Sequence, residues 1–240
     1  MSARLAQGEA QATRPWRTVV TVGGSREKAH AMGFKRSPAD YISGSARQVA
    51  VHDLRYYYGG KSFTGRHFDE FARRSNPDEF NAWDVVAIEM LSVRIPAEAA
   101  IHLIEDTIPE ASGQIRTLLG RIPADAAIWD ETDHLAGKDA RMLWHLVKGL
   151  HDVGRTKTSK LLAAKRPFLF PIYDQYVGAA LLSDQTEDDW GLWRTLFMEE
   201  GIGLRELCAS VAQDAALPQG ISPLRVLDVA IWMREATKGA

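Results

Sequence analysis

One carboxylate, Asp174, follows a long stretch of chain in which every charge is basic. Residues 153–173 contain five basic side chains and no acid: Arg155, Lys157, Lys160, Lys165 and Arg166. A fixed carboxylate beside bound nucleic acid can stabilise the positive charge that a sugar develops when it loses its base. Asp is also a favoured N-cap, and Asp174 stands where a new helix should begin. The sequence leaves both interpretations of Asp174 open.

A predicted pair of helices, joined by a tight turn, precedes this carboxylate. Residues 140–150 place apolar side chains on one helical face, HDVG follows, and RTKTSKLLAA begins the next helix. Gly154 is expected to let the backbone turn closely, and the first turn of the second helix offers N–H groups to a phosphate. Lys157 and Lys160 are three residues apart, so both are expected to contact phosphates. An ordinary helical hairpin with a solvated basic face accounts for the same pattern.

Composition restricts the partners and the type of site. The 240 residues are 45% hydrophobic and carry a formal net charge of −2, so a nucleic acid must be bound by a local basic patch. The single cysteine, Cys208, excludes an internal disulfide and any multi-cysteine metal or iron–sulfur site. Long apolar runs and an apolar leader are absent from the sequence. We therefore expect a soluble, cytoplasmic monomer without metal, cofactor or membrane contact.

The pattern of apolar residues predicts an all-α protein. Residues 1–40 are expected to form a partly extended or flexible arm with one short extended segment at 16–24, and residues 41–240 a helical domain. One helix is expected to end at Gly59-Gly60, another to begin after Asn81, and a third at Pro96. Further helices are predicted at 110–120, 139–150, 156–165, 174–184, 189–199, 203–215 and 223–237.

The residues around Asp174 resemble the helix-hairpin-helix DNA glycosylase superfamily. Its pattern is Leu-Pro-Gly-Val-Gly, a basic helix, and then Val-Asp-x-His-Val about twenty residues later. The matching residues here are Leu150, Val153, Gly154, Asp174 and Val177. The resemblance implies a two-lobed helical fold, a catalytic Asp174, and phosphate binding by the backbone of residues 152–156. It implies double-stranded DNA with an extruded nucleotide as the partner.

Two departures and one weaker match refine this resemblance. The hairpin Pro and first Gly are replaced by His151 and Asp152. The lysine that forms a Schiff base in some members aligns with Thr156, and Lys157 is turned about 100° away around a helix, so we expect no efficient lyase activity. Residues 89–96, EMLSVRIP, resemble the turn that fills the gap left by an extruded base, with Arg94 at its tip. A cation after a helix end explains Arg94 equally well.

The chain also resembles, over about residues 45–235, an actinobacterial-type domain family of unknown function. The shared pattern is LW…VG.TK.SKLL..KRP….YD. This second resemblance carries no information on activity.

The leading functional hypothesis is a monofunctional DNA glycosylase that excises a damaged or modified base. The resemblance assigns catalysis to Asp174 and DNA binding to Val153, Gly154, Arg155, Thr156, Lys157, Lys160 and Arg94. Repair of DNA and defence against phage with modified DNA are both open as biological roles. The alternatives are a non-catalytic DNA-binding module with the same hairpin and a purely structural or protein-interaction domain.

Aromatic residues give a weaker signal. Tyr56, Tyr57 and Tyr58 can supply a stacking face for a base, but three consecutive residues cannot share one helical face. Several tryptophans, Trp232 among them, are expected to be packing residues.

Overall fold

The computed structural model describes residues 33–105, 109–130, 134–182, 189–236 and 238. The expected extended segment at 16–24 lies outside these ranges, as does most of the arm. Within them the protein is all-helical, and its β-structure is limited to one isolated bridge between Phe34 and Leu182. The all-α prediction is therefore confirmed.

Eleven α-helices and three short 3₁₀-helices make up the described part of the chain. The α-helices are α1 (Arg47–Gly59), α2 (Phe68–Arg73), α3 (Ala82–Glu89), α4 (Ala97–Glu105), α5 (Pro109–Arg121), α6 (His134–Lys148), α7 (Arg155–Lys165), α8 (Gln175–Leu181), α9 (Asp189–Glu199), α10 (Gly201–Asp214) and α11 (Pro223–Ala236). The 3₁₀-helices are Pro38–Tyr41, Gly44–Ala46 and Thr64–His67. Among these α-helices only α2 was not predicted, because its six residues are too few to show a helical period.

Local sequence explains where several of these helices begin and end. The Asn81 side chain accepts from the Trp83 N–H at 2.9 Å, and Asp84 accepts in return from the Asn81 N–H at 2.8 Å. This reciprocal capping starts α3 where it was predicted. Gly60 closes α1 by donating its N–H to the carbonyl of Tyr56 at 2.9 Å, and a Cβ at Gly60 would lie 2.5 Å from that oxygen.

The strongest helix contacts fall into two groups, consistent with the expected two lobes. Helix α11 packs against α1, α8 and α10, whereas α7 packs against α2, α3 and α6. One continuous apolar core runs through both groups. The chain leaves the first group after α1 and returns to it at α8, so the segment just before α8 lies where the two groups meet.

Helix α7 is buried on nearly all sides, and the basic stretch is therefore not a solvated face. Lys165 lies 2.6 Å from Asp84, with both side chains buried, and also donates to Ser75 and the Asn76 carbonyl. The guanidinium of Arg166 is buried and donates to the carbonyls of Leu119 and Ile122. These two cations join α7 to neighbouring segments, and the pairing offsets the cost of removing them from water.

The domain begins before residue 41. Phe34 is fully buried, contacts Trp193 edge to face, and pairs with Leu182. Residues 38–41 form a 3₁₀-helix capped by the buried side chain of Ser37. The described end of the predicted arm is thus part of the packed domain, because Phe34 supplies an apolar anchor there.

Within the described ranges, no helix combines the length and the apolar character needed to cross a membrane.

Candidate active site

A cavity of about 480 Å³ opens where the two groups of helices meet. Its walls come from the end of α1 and the loop after it, the turn that follows α3, the first turns of α7 and α8, and one face of α11. Its aromatic lining consists of Tyr57, Phe63, Tyr176 and Trp232, and its charged lining of Lys160, Asp174, Arg225 and Asp228. An apolar wall with a few convergent polar groups is typical of a small-molecule or nucleotide site.

Asp174 caps α8 and lies in the wall of this cavity. Its Oδ1 accepts from the Tyr176 N–H at 3.0 Å, and its Oδ2 lies 3.4 Å from the Lys160 Nζ. The capping interpretation of Asp174 is therefore confirmed. Its side chain keeps 19% exposure, so one face of the carboxylate remains open to the cavity.

The segment before Asp174 is fastened to α7. The buried Ser159 hydroxyl accepts from the Tyr173 N–H at 2.9 Å, one residue before the carboxylate. The Arg155 guanidinium lies over the Tyr173 ring at 3.8 Å. Gly178 leaves room for that ring, since a Cβ there would lie 2.6 Å from it. The sequence from Arg155 to Gly178 thus positions Asp174 rigidly.

Lys160 lies inside the molecule and not on an outer basic face beside Lys157. It is 4% exposed, lines the cavity, and donates to the Leu91 carbonyl at 3.1 Å as well as to Asp174. Burial lowers the pKa of its ammonium group, while Asp174 and Asp228 oppose that shift. The expectation that Lys157 and Lys160 both contact phosphates on the surface is therefore wrong for Lys160. Helix α7 is almost completely buried, and Lys160 lies in the interior of the protein.

The hairpin turn joins α6 to α7 at residues 149–154. Asp152, which replaces the first hairpin glycine of the resemblance, adopts φ +54°. This is the left-handed region that glycine favours and that Asp tolerates. Gly154, in contrast, has φ −82°, and a Cβ there would meet nothing within 4 Å. The expectation that Gly154 permits the tight turn is wrong, since the turn depends on Asp152.

The N-terminus of α7 begins at this turn and has no side-chain cap. Thr156, in the first turn, lines the cavity, whereas the Lys157 ammonium donates to the Asp152 carbonyl at 2.7 Å. Val153 is buried and anchors the hairpin in the core. Gly154 is exposed, and neither its backbone conformation nor the packing around it requires a glycine. The absence of a side chain there leaves open space at the helix end.

The turn after α3 forms the opposite rim of the cavity. Residues 90–93 line it, Ser92 adopts φ +57°, and Arg94 follows as an exposed residue. Two side-chain hydrogen bonds fasten this turn to other segments: Thr64 donates to the Met90 carbonyl at 2.8 Å, and Lys160 to that of Leu91. Backbone strain of this kind persists where the surroundings fix it, often at functional sites.

Helix α11 brings a second buried charge network to the cavity. The Arg225 guanidinium donates to Asp228, to Asp69 at 3.4 Å, to the Tyr57 hydroxyl at 2.9 Å and to the Gly65 carbonyl at 3.0 Å. Burial raises the pKa of Asp228, and the Arg225 charge opposes that rise. Asp228 and Trp232 are one helical turn apart, so both face the same side of α11.

Three aromatic rings form one corner of the wall. Tyr57 and Phe63 are stacked with centroids 5.3 Å apart, and Trp232 meets Phe63 edge-on at 5.6 Å. Tyr176 stands at the rim with 39% exposure and contacts Trp232. Of the three consecutive tyrosines only Tyr57 lines the cavity, and Trp232 is a wall residue as well as a packing residue.

Sequence reasoning missed the contribution of α11. Its signal was available: Arg225 and Asp228 interrupt the apolar stretch LRVLDVAIWM at a spacing of three, with Trp232 four residues further on. Charges buried in an apolar helix must be paired or must serve a site. Within the described ranges, no group of three or more His, Cys, Asp or Glu side chains is arranged to hold a metal ion.

A protein-family model described as a family of unknown function (DUF6308) matches residues 50–235. No curated protein and no solved structure matches the chain. The resemblance to helix-hairpin-helix DNA glycosylases thus receives no support from these comparisons and rests on the residues quoted for it.

Proposed function

The chain belongs to the DUF6308 family, and we propose that it is a DNA glycosylase that draws an extruded nucleotide into the cavity and hydrolyses its N-glycosidic bond at Asp174. One observation carries the proposal: a rigidly held carboxylate and the uncapped N-terminus of α7 adjoin the same cavity. A nucleotide whose phosphate lies at that helix end therefore has its sugar within reach of a carboxylate.

The charge balance around the cavity favours a reaction that develops positive charge. Two cations of the cavity wall, Lys160 and Arg225, pair with three carboxylates. Asp174 and Asp228 line the cavity, and Asp69 lies outside its lining and pairs with Arg225. One negative charge is left over in a largely buried cluster, where electrostatic interactions are strong. A sugar cation formed as the base departs would supply the missing positive charge.

The reaction itself needs only water as a second substrate. The bond between C1′ and the base nitrogen breaks, and its electron pair leaves with the base. Water then adds to C1′, its hydroxyl oxygen forming the new bond, while one proton is passed to the departing base. Asp174 is the residue that stabilises the C1′ cation and orients this water. The products are a free base and an abasic site.

The proposed DNA-binding surface surrounds the mouth of the cavity. Gly154, Arg155 and Thr156 present the start of α7 to a phosphate, and Lys157 adds a partly exposed cation there. Across the mouth, Arg94 follows the strained turn and is the residue proposed to fill the gap left by the extruded base. The aromatic corner offers the extruded base a surface to stack against.

Release of free base from DNA tests this proposal. Duplexes carrying natural, damaged and bulky modified bases are incubated with the wild type and with Asp174→Asn, and abasic sites are measured after alkaline cleavage. Because Asn also caps helices well, Asp174→Asn should keep its fold. We expect release by the wild type to be on the order of 10²-fold or more faster than by the variant. Equal release by both proteins would remove Asp174 from the mechanism.

A non-catalytic DNA-binding module is the second candidate, because Asp174 already has two structural roles. It caps α8 and pairs with Lys160, and neither role requires chemistry. This candidate predicts DNA binding that falls with rising salt, is the same for the wild type and Asp174→Asn, and is never accompanied by base release.

A further inference from the structure

Asp228 has one carboxylate oxygen bound to Arg225 and one that is open to the cavity. The residue is 6% exposed and lines the cavity, and its Oδ2 accepts from the Nη1 of Arg225. Its Oδ1 accepts no hydrogen bond within the part of the chain that the structure describes. Unlike Asp84 Oδ1, which is buried without a partner, this oxygen keeps accessible surface, so a molecule in the cavity can donate a hydrogen bond to it.

Arg225 keeps Asp228 an acceptor and holds it in place. The guanidinium is itself held by Tyr57, Gly65 and Asp69, so the carboxylate cannot turn away from the cavity without losing its partner. Burial raises the pKa of Asp228 and Arg225 opposes that rise, and because a guanidinium has only N–H donors, the carboxylate acts toward it as an acceptor. The free oxygen is therefore placed to accept a hydrogen bond from a ligand.

Lys160 supplies the complementary group in the same cavity. Two of its three ammonium hydrogens are used, by the Leu91 carbonyl and by Asp174. Lys160 also lies within electrostatic reach of Asp228. The cavity therefore offers an extruded base one donor from α7 and one acceptor from α11.

We propose that Asp228 recognises an amino group at C4 of an extruded pyrimidine or at C6 of an extruded purine, so that the substrates are bases of the cytosine or adenine type. This inference rests on the proposed glycosylase function. Because Asp174 must face the sugar, a carboxylate on the separate helix α11 meets the outer edge of the base. At that edge cytosine and adenine present an amino donor, whereas uracil and hypoxanthine present a carbonyl oxygen that a carboxylate repels.

Matched duplexes test the proposal without turnover. Asp174→Asn protein is titrated with four DNAs that differ only in the target base, which is cytosine, uracil, adenine or hypoxanthine. The target is placed opposite a tetrahydrofuran abasic analogue, so that extrusion costs little. We expect cytosine to bind at least about tenfold more tightly than uracil, and adenine than hypoxanthine, as a hydrogen bond to a charged group implies.

Two further substitutions, each added to Asp174→Asn, assign the preference to Asp228. Asp228→Asn turns the free acceptor into an amide, so the tenfold ratio should vanish or invert. Asp139→Asn is the control, because Asp139 is also a buried aspartate that accepts from an arginine, Arg121, and lies outside the cavity lining; here the ratio should persist. If Asp228→Asn does not fold, Asp228→Glu replaces it and should reduce the ratio at least about threefold, because a charged hydrogen bond depends on its geometry.

Each result decides a different point. Tight binding to all four DNAs with equal affinity would overturn amino-group recognition and leave the glycosylase proposal standing. An unchanged preference in the Asp228 variants would overturn the role of Asp228. Absence of binding to every duplex would overturn both this inference and the proposed function.

Discussion

Two lysines on the same helix have opposite surroundings although they are three residues apart. Lys160 is buried beside Asp174, whereas Lys157 is partly exposed and bound to the carbonyl of Asp152. The difference arises because α7 buries most of its surface and leaves only its first turn near solvent. Lys160 therefore belongs to the proposed catalytic machinery, and Lys157 to the surface that meets DNA.

Substituting each lysine by Met should separate these roles. Lys160→Met removes a bond to the Leu91 carbonyl and the partner of Asp174, so base release should fall about tenfold or more. Lys157→Met should weaken DNA binding uniformly across sequences and reduce the magnitude of the slope of log K against log salt by about 1, the contribution of one phosphate contact. The rate of base release at saturating enzyme should not change. The measurements are single-turnover release and a salt titration of binding. Loss of release in Lys157→Met alone would contradict these assignments.

Borohydride trapping on abasic DNA tests the absence of lyase activity. Thr156 occupies the position of the Schiff-base lysine, and the Lys157 ammonium is bound outside the cavity lining. We expect no covalent adduct with the wild type. An adduct lost in Lys160→Met but kept in Lys157→Met would identify the cavity amine as a nucleophile, and the monofunctional prediction would then be wrong.

At the scale of elements, the hairpin and α7 place an uncapped helix N-terminus beside the carboxylate. Gly154 there has open space around its missing side chain and a φ that any residue adopts. Gly154→Arg should therefore leave the melting temperature unchanged and weaken DNA binding about tenfold or more, because the new side chain occupies the proposed phosphate position. Gly203→Arg in α10 is the control, since a Cβ there also meets nothing within 4 Å. Equal binding by both variants would exclude the helix end from the DNA surface.

The turn itself depends on Asp152, whose φ is +54°. Asp152→Val should destabilise the protein by about 1–2 kcal/mol, because a β-branched side chain is strained in the left-handed region. Asp152→Gly should match or exceed the wild-type stability and should bind DNA more tightly, since it removes a negative charge next to the phosphate position. Urea unfolding and a binding titration give the two quantities. A stable Asp152→Val would show that the turn tolerates another conformation.

At the scale of the whole molecule, buried ion pairs connect segments distant in sequence. Lys165 on α7 pairs with Asp84 on α3 and also reaches Ser75 and Asn76. Burial raises the pKa of Asp84 and lowers that of Lys165, and in each case the partner opposes the shift. Such a pair aligns α3, and hence the turn at residues 90–93, with the helix that carries Lys160.

Removing one member of this pair should produce a defect that depends on pH. Lys165→Met leaves the Asp84 carboxylate buried without its cation and should cost about 3–5 kcal/mol at pH 7. A carboxyl whose folded-state pKa is raised gives stability that is full below the unfolded value of about 3.9 and is lost as pH rises through the folded value. The defect should therefore shrink as the pH falls toward that value. The free energy of unfolding, measured by urea titration at several pH values, checks this.

The double variant Lys165→Met with Asp84→Asn is the control, because Asn can still cap α3 and carries no charge. It should recover much of the stability at pH 7 and lose the pH dependence. A pH-independent defect in the single variant would show that the lost cation does not act through Asp84.

The sequence by itself determined the helices, the position of the hairpin and the cap at Asp174. These depend on local features: apolar periodicity, the Asn81 and Asp174 caps, and the glycine and proline residues between helices. Each feature acts within one or two helical turns, so it can be recognised without knowledge of the fold. The short helix α2 was not predicted, because six residues carry too little periodic signal.

Only the tertiary structure decided which charges face the cavity. The five cations of residues 155–166 look alike in sequence, yet Lys160, Lys165 and Arg166 are buried at three different sites. Asp228, Arg225 and Trp232 join Asp174 because α11 returns to the helix group that contains α8. Burial and pairing of a charge depend on contacts between residues that can be 160 or more positions apart, such as Arg225 with Gly65. Spacing along the chain carries no record of such contacts.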